Sequence, residues 1–398
     1  MDFEPSDRVK QIQSQLERFM DEHVYPAEAV AEEQLERSDD PHAEPPVLKD
    51  LKARAKEIGL WNLFLPDPRY GAGLTNVEYA PLAEITGRSP LAPRALNCAA
   101  PDTGNMEILA EFGTEEQKKR WLQPLLDGEI RSCFSMTEPE VSGADPTGLR
   151  TRAVREGDHY VIDGHKWFTS GAIGARFAIV MAVTDPDAPP HQRMSQIIVP
   201  TDTPGFHVVR AVPVMGHVGG GGHCEIRYEK CRVPVSNCLG PEGAGFVIAQ
   251  ARLGPGRIHH CMRAIGMAER GFELMCKWAL ARKAFGSTLA EKQFVQEWIA
   301  TSRMELDQAR LLTLYAAWKM DVYGKERARQ EISMIKVVAP NVAQRVLDRA
   351  IQCHGALGVS DDLPIAAFWR ASRWLRIADG PDEVHKMVIA RRELRRFA

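Results

Sequence analysis

The chain of 398 residues contains no apolar run approaching 18 residues, so no segment reads as a membrane-spanning helix. It has eight cysteines but no C-x-x-C spacing. At this length a disulfide framework is not expected, and scattered thiols fit a reducing, cytosol-like compartment. Charge of either sign is not in excess: Lys+Arg 50 against Asp+Glu 53 leaves −3. That excludes the global basic field of a nucleic-acid or anionic-membrane binder, so an anionic ligand must be met by local arginines. The opening residues MDFEPSDRVK carry acids and no apolar core, and the closing RRFA matches no lipidation or peroxisomal signal. A cytoplasmic protein is the expectation.

Several nucleotide and metal motifs are missing too. There is no G-x-G-x-x-G after a strand pattern and no Walker sequence. The run of glycines at 219–222 is followed by no helix signal and reads as a loop. His259 and His260 are adjacent, so they point to different sides of a helix and make a poor metal pair. No metal site is expected.

Apolar residues make up 44% and charged residues 26%, a globular composition with ample length for a core. Ser6 is an N-cap candidate, and Val9, Ile12, Leu16 and Phe19 follow at helical steps. Helical patterns continue to about residue 130, with Thr114 and Gln117 as a capping box. From about Arg131 the pattern alternates as strands do. Glu156-Gly157-Asp158 and Asp163-Gly164 read as turns. After GPEGAGF, at 240–246, long helical patterns return and run to the end. The expected organisation is a helical N-terminal domain (1–130), a β-barrel-like middle domain (131–240) and a C-terminal four-helix bundle (241–398), an α+β fold.

Five stretches carry polar or aromatic residues suited to a cofactor: CFSMTEP (133–139), DGHKWFTSG (163–171), RKAFGSTLAEKQ (282–293), QCHGALGV (352–359) and RIADGPDEVHK (376–386). Their order, with LPDPRYGAGLT (65–75) upstream, resembles the acyl-CoA dehydrogenase family along nearly the whole chain. The GHKWFTSGA and IADGPDEVH stretches look most like the branch whose animal members can carry an additional kinase-like domain.

The resemblance implies FAD, an acyl-CoA substrate, a homotetramer built as a dimer of dimers, and electron-transfer flavoprotein as electron acceptor. It implies α,β-dehydrogenation to the trans-2-enoyl-CoA, with the β-hydride passing to flavin N5. Phe134, Met136 and Thr137 match the family's first flavin segment. Phe168, Thr169 and Ser170 match the second, where Trp167-Phe168 leaves the register open by one residue. Arg282, Phe285 and Gln293 match the segment that reaches FAD across a dimer interface. An arginine fork suits a pyrophosphate. Gln352, Gly355 and Gly358 match a glycine-rich loop, with Ala356 replacing its usual second glycine. Pro381 and Glu383 fall where the family touches the cofactor. Arg257 and Ala144 fall on the substrate side, Ala144 standing where a serine is common.

Two base positions are known in the family. One precedes the arginine matched by Arg257, and here it is Gly256, which has no side chain to take a proton. The other is matched by Asp379, where most members have glutamate. Asp379 is therefore the expected base, its backbone N–H an oxyanion donor to the thioester. Desolvation would raise its pKa and suit proton abstraction near neutrality. A nitroalkane-type flavin oxidase and a catalytically silent, nucleic-acid-binding flavoprotein are the alternatives.

Overall fold

The computed structural model describes residues 4–217 and 219–398. Its longer helices, in chain order, are α1 (Asp7–Phe19), α2 (Tyr25–Glu36), α3 (Pro46–Glu57), α4 (Asn76–Gly87), α5 (Asp102–Phe112), α6 (Gly245–Ala281), α7 (Gln293–Tyr323), α8 (Arg329–His354), α9 (Ile365–Leu375) and α10 (Asp382–Leu394). No described helix is long and apolar enough to cross a membrane. The chain forms two compact units. A helical unit comprises the N-terminal stretch to Pro26, Leu74–Pro93 and Gly254–Ala398. A sheet unit comprises Ala27–Gly73 and Arg94–Leu253. The helices of the first 130 residues thus divide between the two.

The sheet unit is organised by eight strands: β1 (Ser132–Ser135), β2 (Arg152–Glu156), β3 (His159–Ser170), β4 (Phe177–Val183), β5 (Met194–Pro200), β6 (Phe206–Ala211), β7 (His223–Pro234) and β8 (Cys238–Leu239). They lie in the order β6-β7-β3-β2-β4-β5-β8, and β1 pairs with β4 in parallel. The sequences of β4 and β5, FAIVMAV and MSQIIVP, are apolar almost throughout because nearly every residue is buried. A strand covered on both faces loses the alternation that a half-exposed strand shows. β6 is mostly exposed.

The Glu156-Gly157-Asp158 turn joins β2 to β3, with Glu156 facing His159. Asp163-Gly164 is not a turn: both residues lie inside β3, at a register shift against β7. Glycine is needed there for closeness, because a Cβ on Gly164 would come to 2.3 Å from Thr151 Oγ1. Asp163 is occupied by accepting from the Lys230 amide at 2.8 Å.

In the helical unit Ser6 caps α1, its Oγ accepting from the Val9 amide. Thr75 and Glu78 make a reciprocal capping box on α4. α8 is the central element, packing against α7, α9 and α10. It is accordingly apolar on several sides, with Ile335, Ala339, Ala343, Val346 and Leu347 fully or almost fully buried. Burying a leucine or valine of this kind is worth roughly 1.5–3 kcal/mol.

Candidate functional site

Within the sheet unit, the two stretches expected to meet a flavin are laced together. Where β1 ends, Thr137 Oγ1 donates to the Trp167 carbonyl at 2.7 Å, and the Trp167 amide donates to the Thr137 carbonyl at 3.0 Å. Ser135 and Thr169 hydroxyls meet at 3.1 Å, both fully buried. Beneath them Lys166, fully buried, donates to the Met136 carbonyl at 2.7 Å and to Glu138 Oε1 at 2.9 Å. Glu138 also accepts from the Arg150 and Thr151 amides. Burial pulls Lys166 down to about 8, against the opposing pull of Glu138. This buried pair was not singled out in the sequence. Its lysine sits inside a strand and signals only by being out of place there.

The register of β3 slips between Lys166 and Thr169, and Phe168 takes a left-handed backbone with φ 50°. That slip turns Phe168 outward, 44% exposed, while Trp167 is half-buried with its ring 4.8 Å away. Phe134 and Met136 are half-buried, and the Arg252 guanidinium covers the Phe134 ring at 4.3 Å. Thr169 turns its side chain inward, so any outward contact it makes is through backbone. Ser170 is held by His223 Nδ1 at 2.7 Å. Ala144 is exposed in the following loop. At neighbouring Gly143, an added Cβ would meet Thr137 at 3.0 Å.

In the helical unit, Arg282 is exposed with its guanidinium 5.6 Å from the Trp278 ring. A two-strand hairpin follows, β9 (Lys283–Ala284) and β10 (Ser287–Thr288). Its turn residues Phe285 and Gly286 both have positive φ, and Phe285 is 99% exposed. Gln293, at the start of α7, and Gln352, in the last turn of α8, are exposed. The glycines after Gln352 have local reasons. Gly355 ends α8 in the left-handed conformation with φ 64°, and a Cβ on Gly358 would strike the Ile351 carbonyl at 2.4 Å.

The Asp379 turn lies in the same unit. It follows α9 and precedes α10, and Asp379 itself has φ 56°. Its carbonyl accepts from Arg257 Nε at 3.1 Å and faces His385 Nε2 at 3.3 Å. Arg257 is thus no freely solvated helix residue. Its guanidinium clasps the turn from α6. Burial first, then Arg257 and Lys336, pull His385 down to about 4, so it is a neutral imidazole near pH 7. The Asp379 carboxylate is 24% exposed, and its Oδ2 lies 3.4 Å from His260 Nε2. Desolvation is therefore partial, and the positive charges of Arg257 and Lys336 both act on this carboxylate.

The three acids of the turn separate by environment. Asp382 is buried, accepting from Arg376 Nε and Asn341 Nδ2, each at 2.9 Å. Glu383 is exposed in the first turn of α10, and Pro381 is half-buried just before it. Asp379 alone pairs partial exposure with a carboxylate beside a histidine. His260 and His385 were not anticipated as part of this group. The spacing i, i+3 between Arg257 and His260 on one helix face was the available signal. Gly256 has open space where a Cβ would stand. No cluster of metal ligands occurs among the described residues. A cavity of about 800 Å³ in the helical unit does not include Asp379. Its three arginines are already matched, Arg88 with Glu273, Arg303 with Glu269, and Arg310 with Glu84 and Glu269.

The residues present fit a flavin nucleotide. In the sheet unit Met136, Trp167 and Phe168 offer half-buried or exposed apolar surface; in the helical unit Arg282, Gln293 and Gln352 are exposed polar groups of the kind that meets phosphate and adenine.

Three family models match in tandem: acyl-CoA dehydrogenase N-terminal domain at residues 6–129, middle domain at 133–231 and C-terminal domain at 243–394. A probable acyl-CoA dehydrogenase FadE2 of Mycobacterium tuberculosis is 56% identical over 100% of this chain and 98% of its own length. Mouse acyl-CoA dehydrogenase family member 10 is 51% identical over 98% of this chain, which spans only 37% of that protein. Among solved structures, a putative acyl-CoA dehydrogenase from Mycobacterium abscessus superposes with TM-score 0.96 at 48% identity, over 99% of this chain and 100% of that one. Butyryl-CoA dehydrogenase from Megasphaera elsdenii gives TM-score 0.84 at 29% identity, over 99% and 100%. The chain belongs to the acyl-CoA dehydrogenase family, flavin-dependent oxidoreductases that use FAD.

Proposed function

We propose that this enzyme removes the α- and β-hydrogens of an acyl-CoA thioester, giving the trans-2-enoyl-CoA, with Asp379 as the base. FAD, when bound, supplies the two-electron acceptor that takes the β-hydrogen as hydride. The observation that carries the reading is the Asp379 turn. Its carboxylate is accessible, while Arg257 and His385 fix its backbone carbonyl from two sides. A base held this way is pre-positioned, which is where much of general-base catalysis comes from. Asp379 takes the α-proton onto a carboxylate oxygen, and the electrons of that C–H bond become the new double bond as the β-hydride leaves. The Asp379 N–H is the donor assigned to the thioester oxygen. The positive charge of Arg257 lies beside the turn and favours negative charge there.

The cofactor contacts are assigned to Phe134, Met136, Thr137, Phe168, Thr169 and Ser170 from the sheet unit. Arg282, Phe285, Gln293, Gln352, Gly355, Pro381 and Glu383 contribute from the helical unit, with Ala144 on the substrate side. An aromatic as exposed as Phe285 favours assembly with a second copy, and a homotetramer is the proposed state. An electron-transfer flavoprotein is the proposed electron acceptor.

Anaerobic titration of the yellow protein with a panel of acyl-CoAs tests the reading. At least one should bleach the flavin. Asp379→Asn should bind FAD normally and lose about 10²–10⁴-fold in the bleaching rate. Peroxide production from nitroalkanes, without bleaching by any acyl-CoA, would replace this reading with an oxidase.

A further inference from the structure

His260 is placed to act on Asp379. It leaves α6 one turn after Arg257, and its Nε2 lies 3.4 Å from Asp379 Oδ2. Its other nitrogen, Nδ1, lies 3.3 Å from Arg263 Nη2. A guanidinium has only donors, so Nδ1 must accept, and the ring proton is left on Nε2. Arg263 is itself buried to 9% exposure, which fixes that choice from inside the protein. His259, the neighbouring histidine, points elsewhere: it is buried with its ring against Tyr79 at 4.8 Å.

Other charged and titratable groups of the helical unit surround the pair. On α6, Arg257 holds the Asp379 carbonyl. Cys261 is a buried thiol pushed up to about 12, and so uncharged. From α8, Lys336 donates to the Leu375 carbonyl. Arg329, also on α8, opposes the charge of Arg257. Around the turn, Asp382 is paired with Arg376, and His385 is neutral and faces the Asp379 carbonyl.

We propose that His260 is a positioning residue for the base: it presents Nε2–H to Asp379 Oδ2 and so orients the carboxylate. The inference rests on the reading of Asp379 as the base. A short aspartate has only two side-chain torsions, so one donor on one oxygen restricts the orientation of the whole carboxylate. The same donor favours the charged carboxylate over a wider pH range.

The test compares His260→Leu with His260→Gln, whose amide can replace the Nε2–H donor. Stopped-flow flavin reduction by an acyl-CoA substrate is followed across pH. His260→Leu should lower the limiting rate roughly 10- to 100-fold, the effect of losing a hydrogen bond to a charged group. Its acid limb should move to higher pH, at unchanged FAD content. His260→Gln should recover most of both. A readout independent of turnover is ring NMR of ¹⁵N-histidine-labelled protein. His260 should carry its proton on Nε2, and its signals should shift in Asp379→Asn. A proton on Nδ1, or signals that ignore Asp379→Asn, would overturn the proposal. Full flavin reduction in Asp379→Asn would remove the base assignment and the role of His260 with it. Loss of reduction in Asp379→Asn, while His260→Leu keeps the parent rate and pH limb, would remove His260 alone.

Discussion

The Phe134–Thr137 segment and the Asp379 turn are held by opposite means. The first rests on a buried ion pair, with Lys166 and Glu138 side chains 0% and 2% exposed. Backbone bonds to the neighbouring strand add to it. The second is a half-exposed turn whose carbonyl is gripped by Arg257 and His385. A buried pair is costly to desolvate and costlier to break, so it fixes a shape at the scale of the unit. A turn gripped at one carbonyl can lose a contact and stay folded, so changes there should appear in rate and pH dependence before they appear in stability.

Four substitutions probe that contrast, the largest effect first. Asp379→Asn should separate the two regions most sharply, with bleaching lost and the urea midpoint nearly unchanged. Glu138→Ala should do the reverse. It strands a buried lysine and two backbone amides, and should cost about 3–5 kcal/mol in urea unfolding. If Glu138→Ala instead left stability untouched, the buried pair would not be the anchor of the sheet unit. His385→Gln tests the turn through acid. The folded state holds His385 near pKa 4, against 6.5 for an ordinary histidine. Below pH 6.5 the unfolded chain therefore binds the proton more readily. Stability from this group is complete above 6.5 and falls as pH drops towards 4, by about 2 kcal/mol at pH 5. His385→Gln should flatten that loss in denaturation curves taken at pH 7 and pH 5. Gly256→Ala should have the smallest effect. Its Cβ enters open space within a helix, so stability should rise by roughly 0.5–1 kcal/mol. The bleaching rate should hold if position 256 takes no part in the chemistry.

The two regions also differed in how much could be read from the sequence. The three-part order of helices, strands and helices was legible because periodicity and caps are local, as at Ser6 and Thr114. The candidate base was legible through a short motif around Asp379. The Asp163-Gly164 reading failed because a turn dipeptide inside a long strand looks the same as one between strands. Only the approach of Thr151 explains the glycine. Lys166–Glu138 and His260–Asp379 were not legible, because each joins residues far apart in the chain. Their partners are chosen by packing.

The left-handed backbone at Asp379 bears on which residues can stand there at all. Aspartate and asparagine enter that conformation far more readily than most side chains, because a short polar group bonds locally. Glutamate at the same φ of 56° would meet a conformational penalty that has nothing to do with proton transfer. A single-base codon change from aspartate to glutamate is thus chemically trivial and structurally uphill. Asparagine is close to a conformational isostere, which makes it the cleaner probe of the carboxylate. An engineer wanting glutamate's reach would have to reshape the turn before changing the residue.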